Sequence, residues 1–153
     1  MKKVTYLICS IYCIVLISCS QSGQKSEKAE PAEKVETAPT EVEKPSVFFK
    51  HPKDGATVPS PVYIEMGVKG MQIEPAGEVK EGFGHHHILI NQKSWPKGEI
   101  IPTSDTTIHF GKGQTDASIE LEAGEYEISL QFADGVHASY GEEMAASINI
   151  KVE

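Results

Sequence analysis

Histidines are the residues of this sequence whose type and spacing favour a chemical role. Three are consecutive, His85, His86 and His87, and two more follow at His109 and His137. Alternate side chains of a strand point to opposite faces, so the first and third of the run share one face. A His-x-His pair with a third imidazole from a neighbouring strand is a workable ligand set for Zn²⁺, Cu²⁺ or Ni²⁺.

The neighbouring apolar residues predict which face each histidine takes. Ile88 and Ile90 share the parity of His86, which is therefore predicted to face the core. His109 stands between two large apolar residues and is predicted to point away from the core. The remaining histidines and one acidic residue of a later loop then form a candidate metal site on an outer surface: His85, His87, His109, His137 and Asp134.

A structural role for the histidines is the alternative. Buried imidazoles commonly hydrogen-bond to nearby backbone groups and so hold a loop in place. His86 and His109 are close in sequence to two glycine-rich turns, at residues 82–84 and 111–113. In this interpretation the histidines fasten these turns and bind no metal.

Alternation with a period of two predicts an all-β domain. The runs that carry it are residues 47–49, 62–68, 86–90, 108–110, 118–121, 126–132 and 146–152. Turn signals such as Asp54-Gly55 and Asp134-Gly135 separate them. About seven short strands in just over a hundred residues predict an immunoglobulin-like antiparallel β-sandwich.

Tyr126 gives a more local indication of this fold. It follows Gly124 in the pattern Ile119-x-Leu121-x-x-Gly124-x-Tyr126, at the start of an alternating run. The pattern resembles the corner before the sixth strand of immunoglobulin-like domains, where a tyrosine hydroxyl bonds back to upstream backbone. Tyr126 is therefore expected to have a structural role of this kind.

Composition excludes several classes of function. All cationic side chains are lysines, and the formal net charge is -8. Nucleic-acid-binding domains are usually basic and rely on arginine, so no nucleic-acid partner is expected. Cysteine occurs only at Cys9, Cys13 and Cys19, and the sequence has no Gly-x-Ser-x-Gly motif.

The first nineteen residues read as an export signal. Lys2 and Lys3 precede an apolar stretch at residues 4–17, which is too short for a bilayer that needs about 20 residues. Its end, Leu-Ile-Ser-Cys at residues 16–19, resembles the lipobox of bacterial lipoproteins. That resemblance implies that Cys19 is acylated, that the chain is cut just before it, and that the protein is anchored to a lipid bilayer.

The chain is therefore predicted to have three parts. Residues 1–18 are a lipoprotein signal peptide, 19–45 are the lipidated cysteine with a disordered charged tether, and 46–153 are the β-sandwich domain. The exported domain then has no thiol, which excludes disulfides, cysteine nucleophiles and thiolate ligands. Ser20 resembles an outer-membrane sorting residue of Gram-negative bacteria, which implies the periplasmic face or the cell surface.

Two phrases resemble a bacterial family of exported domains of unknown function, DUF4399. They are Gly82-Phe83-Gly84 followed by the three histidines, and His109-Phe110-Gly111-x-Gly113-Gln114-Thr115. The resemblance extends roughly from Phe83 to the C-terminus and implies no settled activity. One departure is Thr107, where family members often carry a second histidine, and members also have more histidines near His137.

These patterns predict a membrane-anchored, exported binding module that holds Zn, Cu or Ni through a surface histidine cluster. An enzyme is not expected, because no catalytic motif is present. Two other functions stay open: a structural or protein-interaction domain of the cell envelope, and a small zinc hydrolase with an open coordination position. The expected partners are the bilayer, through Cys19, and a metal ion or an envelope protein.

Overall fold

The alternating runs form β-strands in the computed structural model, which describes residues 44–153. The predicted signal peptide, Cys19 and almost all of the predicted tether lie outside these residues. Nine strands follow one another in the described part: β1 (Ser46–His51), β2 (Ala56–Val58), β3 (Val62–Lys69), β4 (Gln72–Ile73), β5 (Phe83–Ile90), β6 (Thr107–His109), β7 (Asp116–Ile119), β8 (Gly124–Ala133) and β9 (Ala145–Val152). A short 3₁₀ turn, Glu142–Met144, precedes β9. No helix in residues 44–153 is long and apolar enough to cross a membrane.

The all-β prediction is confirmed, and each of the seven alternating runs overlaps a strand. The two additional strands, β2 and β4, have three and two residues. They are too short to show an alternation, so the sequence pattern could not reveal them.

The strands form two sheets. One has three strands in the order β1-β3-β7, and the other has the order β2-β9-β8-β5-β4, with β6 also paired to β5. Most neighbours are antiparallel, but β2 pairs with β9 and β4 pairs with β5 in parallel. The predicted antiparallel arrangement holds for the long strands, and parallel pairing occurs where the short strands β2 and β4 each lie alongside a long one.

The main core lies between the two sheets. Even-numbered residues of β5, β8 and β9 face residues of β3 across it, and all of them are buried: Val62, Ile64, Met66, Ile88, Ile90, Ile128, Leu130, Phe132, Ile148, Ile150 and Val152. Fully burying one such side chain contributes about 1.5–3 kcal/mol. This face of β5 is the one predicted for His86, which is completely buried.

A second apolar cluster covers the opposite face of the larger sheet. Leu89 and Ala133 lie on that face, and Ile101 and Trp95 from the segment between β5 and β6 pack against them. Where this face is covered, its polar residues are buried as well, including Ser129, which is fully buried. The part of the outer face formed by β9 is exposed at Ser147, Asn149 and Lys151.

The tyrosine corner is present. The Tyr126 hydroxyl donates a hydrogen bond to the backbone carbonyl of Glu122, at 3.1 Å. Tyr126 also packs against the main core. The residue thus ties the start of β8 to the chain that leads into it, as the pattern predicted.

Candidate metal centre

Strand β5 carries two of the candidate ligands on its outer face. His85 lies opposite Ala133 of β8, and His87 lies opposite Gln131. On the other edge of β5, strand β6 pairs His87 directly with His109. Backbone register therefore brings three of the predicted ligands together.

His137 completes the group from the loop that follows β8. Its Nε2 lies 3.1 Å from Nε2 of His109, and the Nε2 atoms of His85 and His87 are also 3.1 Å apart. Ring centroids of the four residues are separated by 4.5 to 5.9 Å. We call these four residues the histidine cluster: His85, His87, His109 and His137.

Three members of the cluster lie close enough together to share a metal ion. Each of His85, His109 and His137 offers a ring nitrogen, and these nitrogens all lie within 4.8 Å of one another. A tetrahedral ion with bonds of about 2.0–2.1 Å separates its ligand nitrogens by about 3.3 Å, and a square-planar ion separates neighbours by about 2.9 Å. The two 3.1 Å separations lie between these values, whereas the nitrogens of the three-residue group are bounded by 4.8 Å and would draw closer around an ion.

The expectation that the cluster lies on the surface is wrong. His85 is 0% exposed and His87 is 1% exposed, whereas His109 and His137 are half-buried. The reason is the covered outer face, since the loops that pack on the sheet enclose the start of β5. The open side of the cluster is the side of His109 and His137.

The loop after β8 presents His137 in an unusual backbone conformation. Its φ is 72°, in the left-handed region that costs a non-glycine residue about 1–2 kcal/mol. Asp134 holds the turn, because its Oδ1 accepts hydrogen bonds from the amides of Val136 and Ala138 at 3.0 and 2.8 Å. The amide of His137 in turn donates to the Asp134 carbonyl.

Asp134, a predicted ligand, is therefore placed in a positioning role. Its carboxylate does not belong to the group of mutually close ligand atoms found among the described residues. It is nevertheless near enough for its negative charge to oppose the lowering of the His85 pKa. The loop brings Asp134 to the edge of the cluster and His137 into it.

The absence of a side chain at Gly111 leaves room for the His109 ring. A Cβ atom at this position would lie 2.1 Å from Cε1 of His109, far inside any normal contact. The ring therefore lies over the bare backbone of the following turn. This contact explains why a glycine stands two residues after the histidine in the His-Phe-Gly phrase.

Burial keeps the buried members of the cluster neutral. Burial first, and the charges of neighbouring histidines second, lower the pKa of His85 to about 4 and that of His87 to about 3. The pKa of His109 is also lowered, first by burial and then by the charge of His137. Neutral imidazoles are the form that binds metal.

His86 has no hydrogen bond to fasten a turn. Neither of its ring nitrogens has a partner among the described residues, and the ring packs edge-on against Phe132 with centroids 5.1 Å apart. Burial first, and then the charges of His85 and Lys50, lower its pKa to about 4. The predicted fastening of the turn at residues 82–84 by this side chain is thus not found in the described structure.

Sequence reasoning missed Gln131. Its Oε1 accepts a hydrogen bond from the Trp95 amide, and its Nε2 donates to the carbonyls of Gly141 and Met144. These bonds attach the covering segments to the sheet directly opposite His87. In the sequence, Gln131 reads as an ordinary exposed polar residue of an alternating strand, so no signal distinguishes it.

Thr107, which stands where members of the family often carry a histidine, lies on the same outer face. It pairs with Leu89, two positions beyond His87, and is buried. Its hydroxyl donates to the Pro102 carbonyl and lies 2.9 Å from that of Ser104. A threonine therefore ties down the covering segment at this point of the sheet.

Comparison with known proteins identifies the family. The profile of a family described as a domain of unknown function (DUF4399) matches residues 64–153, from β3 to the end of the chain. The chain belongs to the DUF4399 family. The DUF4399 region contains the whole histidine cluster together with Asp134 and Gln131. No curated protein and no solved structure matches the chain significantly.

Proposed function

We propose that this DUF4399 protein binds a divalent transition metal ion, Zn²⁺ or Cu²⁺, at the histidine cluster. The observation that carries the proposal is the convergence of ring nitrogens from β5, β6 and the loop after β8, with two Nε2 pairs at 3.1 Å. Burial favours the neutral form of His85 and His87, and a neutral imidazole has one ring-nitrogen lone pair that a cation can take up. The ion would be held by this chain's own imidazoles.

The donor chemistry favours borderline metals. Imidazole nitrogen suits Zn²⁺ and Cu²⁺, whereas soft Cu⁺ prefers sulfur ligands. The sulfur-containing side chains of the described residues pack with the main core, on the other side of the sheet: Met66, Met71 and Met144. The cluster itself is therefore a site with nitrogen donors.

Thermal unfolding of the full-length protein tests this function. An ion that binds only the folded state stabilises it by RT ln(1 + [L]/Kd), so the melting temperature should rise when Zn²⁺ or Cu²⁺ replaces a chelator. His109→Ala should abolish that rise. His51→Ala is the matched control, because His51 is exposed at the end of β1 and lies outside the cluster.

The contrary result is equally clear. If the wild-type melting temperature is the same with chelator, Zn²⁺, Cu²⁺ and Ni²⁺, the domain does not bind these metals at the cluster. A structural or protein-interaction role in the cell envelope then becomes the better explanation. In that case His109→Ala should lower the melting temperature even when the chelator is present.

We further propose that the domain works outside the cytoplasm, anchored to a bacterial membrane through acylated Cys19. The support is the Leu-Ile-Ser-Cys sequence at residues 16–19 after a basic, apolar start. Two or more acyl chains hold a protein firmly, since each buried methylene contributes about 0.8 kcal/mol. Metabolic labelling with a fatty acid should mark the wild type and spare Cys19→Ser, and equal labelling of both would contradict the anchor.

A further inference from the structure

The number of ligands decides what a histidine site does with its ion. Catalytic zinc sites have three protein ligands and keep a fourth position for water or substrate, whereas closed sites use four protein ligands. His85, His109 and His137 alone would form the first kind. The second kind requires that His87 also binds.

His87 lies beside these three residues but outside the group whose ring nitrogens are all within 4.8 Å of one another, so its ring would have to move toward His109 and His137 to bind the same ion. Nε2 of His87 lies 3.1 Å from Nε2 of His85, and its ring stacks on that of His109 with centroids 5.0 Å apart and planes at 28°. The contact between His109 and His137 has the same length and also joins two Nε2 atoms. The Nε2 atoms thus form two pairs of equal length, and His85 and the second pair belong to the group whose ring nitrogens lie within 4.8 Å of one another.

The hydrogen bond between His85 and His87 cannot persist beside a bound ion. Once Nε2 of His85 ligates the ion, it carries no proton and its lone pair is used. Nε2 of His87 then loses its partner, while Nδ1 of the same ring has none among the described residues. Leaving both nitrogens of a 1% exposed side chain unpaired is unfavourable, and ligation of the ion by Nε2 removes half of that cost.

Solvent is also kept from this side of the cluster. His85 and His87 are buried, and Gln131, opposite His87, is hydrogen-bonded to the Trp95 amide and to the Gly141 carbonyl. The half-buried members, His109 and His137, form the side through which an ion would enter. A water ligand at the position of His87 would have to displace a buried, packed ring.

We propose that His87 is the fourth ligand, and that the histidine cluster is a closed four-imidazole site which holds or carries its ion without offering a coordination position to a substrate. This inference rests on the proposed metal binding. It assigns the domain to metal binding without catalysis and opposes the zinc-hydrolase alternative.

Cobalt substitution and azide distinguish the closed site from the open one. Co²⁺ reports its coordination by visible absorption, and azide changes that absorption where it can bind the ion. The full-length protein, purified in detergent and loaded with Co²⁺, should have a spectrum that azide leaves unchanged. His87→Ala should still bind Co²⁺ through three histidines and should gain an azide-dependent spectral shift, whereas the control His51→Ala should behave as the wild type.

The outcomes separate this inference from the proposed function. A wild-type protein that develops no cobalt spectrum contradicts metal binding itself. A cobalt spectrum that responds to azide in the wild type as strongly as in His87→Ala overturns only the closed site and places His87 outside the ligand shell. X-ray absorption of the zinc-loaded wild type needs no variant: scattering from four imidazoles supports the inference, and three imidazoles with one oxygen refute it.

Discussion

Strand β5 carries histidines on both faces, and comparing those faces separates a packed imidazole from a candidate ligand. On the core side, His86 lies against Phe132 with neither ring nitrogen bonded among the described residues. On the outer side, His85 and His87 turn their Nε2 atoms toward each other, and the ring of His109 lies 5.0 Å from each of them. All three β5 histidines are buried to the same degree.

The pKa values alone do not distinguish the faces. Burial is the main cause that lowers the pKa of His86 to about 4 and that of His87 to about 3. The two residues differ in the smaller electrostatic contributions that lower the pKa. For His86 these come from one histidine and a lysine, and for His87 they come from four histidines. A buried neutral histidine is therefore no sign of a site, whereas several that converge on one point are.

The largest expected effect belongs to the core face. Leu130→Ala should lower the free energy of unfolding by about 2–5 kcal/mol, because Leu130 is fully buried between the sheets. Its side chain points away from the histidine cluster, so the rise in melting temperature on adding Zn²⁺ should remain. Urea unfolding with chelator and with Zn²⁺ measures both quantities. A variant that folds stably but no longer responds to Zn²⁺ would show that the two faces are coupled.

The sequence predicts the faces of β5 because strand parity is a local property. The apolar neighbours of His86 and His109 identify the core side, and the structure agrees at both positions. The same reasoning explains why the tyrosine corner could be predicted, since Tyr126 and its bonding partner are four residues apart.

The covering of the outer face, in contrast, could not be predicted from the sequence. It depends on the segment that carries Trp95 and Ile101 folding back over Leu89 and Ala133, which no local pattern specifies. The left-handed turn at His137 is likewise set by the loop that holds it. Expecting a surface cluster failed because burial here comes from long-range packing, which alternation does not record.

Acid should destabilise the metal-free protein through the buried histidines. The unfolded chain takes up these protons near pH 6.5, whereas His86 in the folded state does so only near its lowered pKa of about 4. Between these values the unfolded state binds more protons. The stabilisation that comes from the lowered pKa is therefore fully present above pH 6.5 and is lost as pH falls toward 4. A tenfold change in proton affinity equals about 1.4 kcal/mol, so the shift of the His86 pKa from 6.5 to about 4 contributes about 3 kcal/mol.

Urea unfolding at a series of pH values, with chelator present, checks this expectation. The His86→Leu variant should lose less stability than the wild type between pH 6.5 and 4. A stability that is constant over this interval in the wild type would contradict the lowered pKa values.

Replacing one histidine from each face sharpens the comparison at neutral pH. His86→Leu should raise the free energy of unfolding of the metal-free protein by about 1–3 kcal/mol, because an unbonded buried imidazole is exchanged for an apolar side chain of similar size. It should keep the response to Zn²⁺. His85→Leu should lose that response whatever it does to stability.

Thermal unfolding of His86→Leu and His85→Leu, with and without Zn²⁺, measures these effects. If His86→Leu removes the response as completely as His85→Leu, then the core face contributes to binding and the distinction between the faces fails. Circular dichroism of both variants establishes that each retains the β-structure of the wild type.

The smallest effect concerns Asp134, at the edge of the outer face. Its Oδ1 accepts hydrogen bonds from the amides of Val136 and Ala138, and the turn so formed holds His137 at a φ of 72°. Asp134→Ala removes the acceptor, so the turn relaxes and Zn²⁺ should bind about tenfold more weakly, equivalent to about 1.4 kcal/mol.

Asp134→Asn separates positioning by hydrogen bonds from a role of the charge. Asparagine keeps an Oδ1 acceptor in the same place, so its affinity for Zn²⁺ in calorimetric titration should remain close to that of the wild type. An asparagine variant as weak as the alanine variant would mean that the negative charge itself acts on the ion. Asp134 would then be part of the metal site, and the outer face of β5 would differ from the core face by a carboxylate as well as by its converging imidazoles.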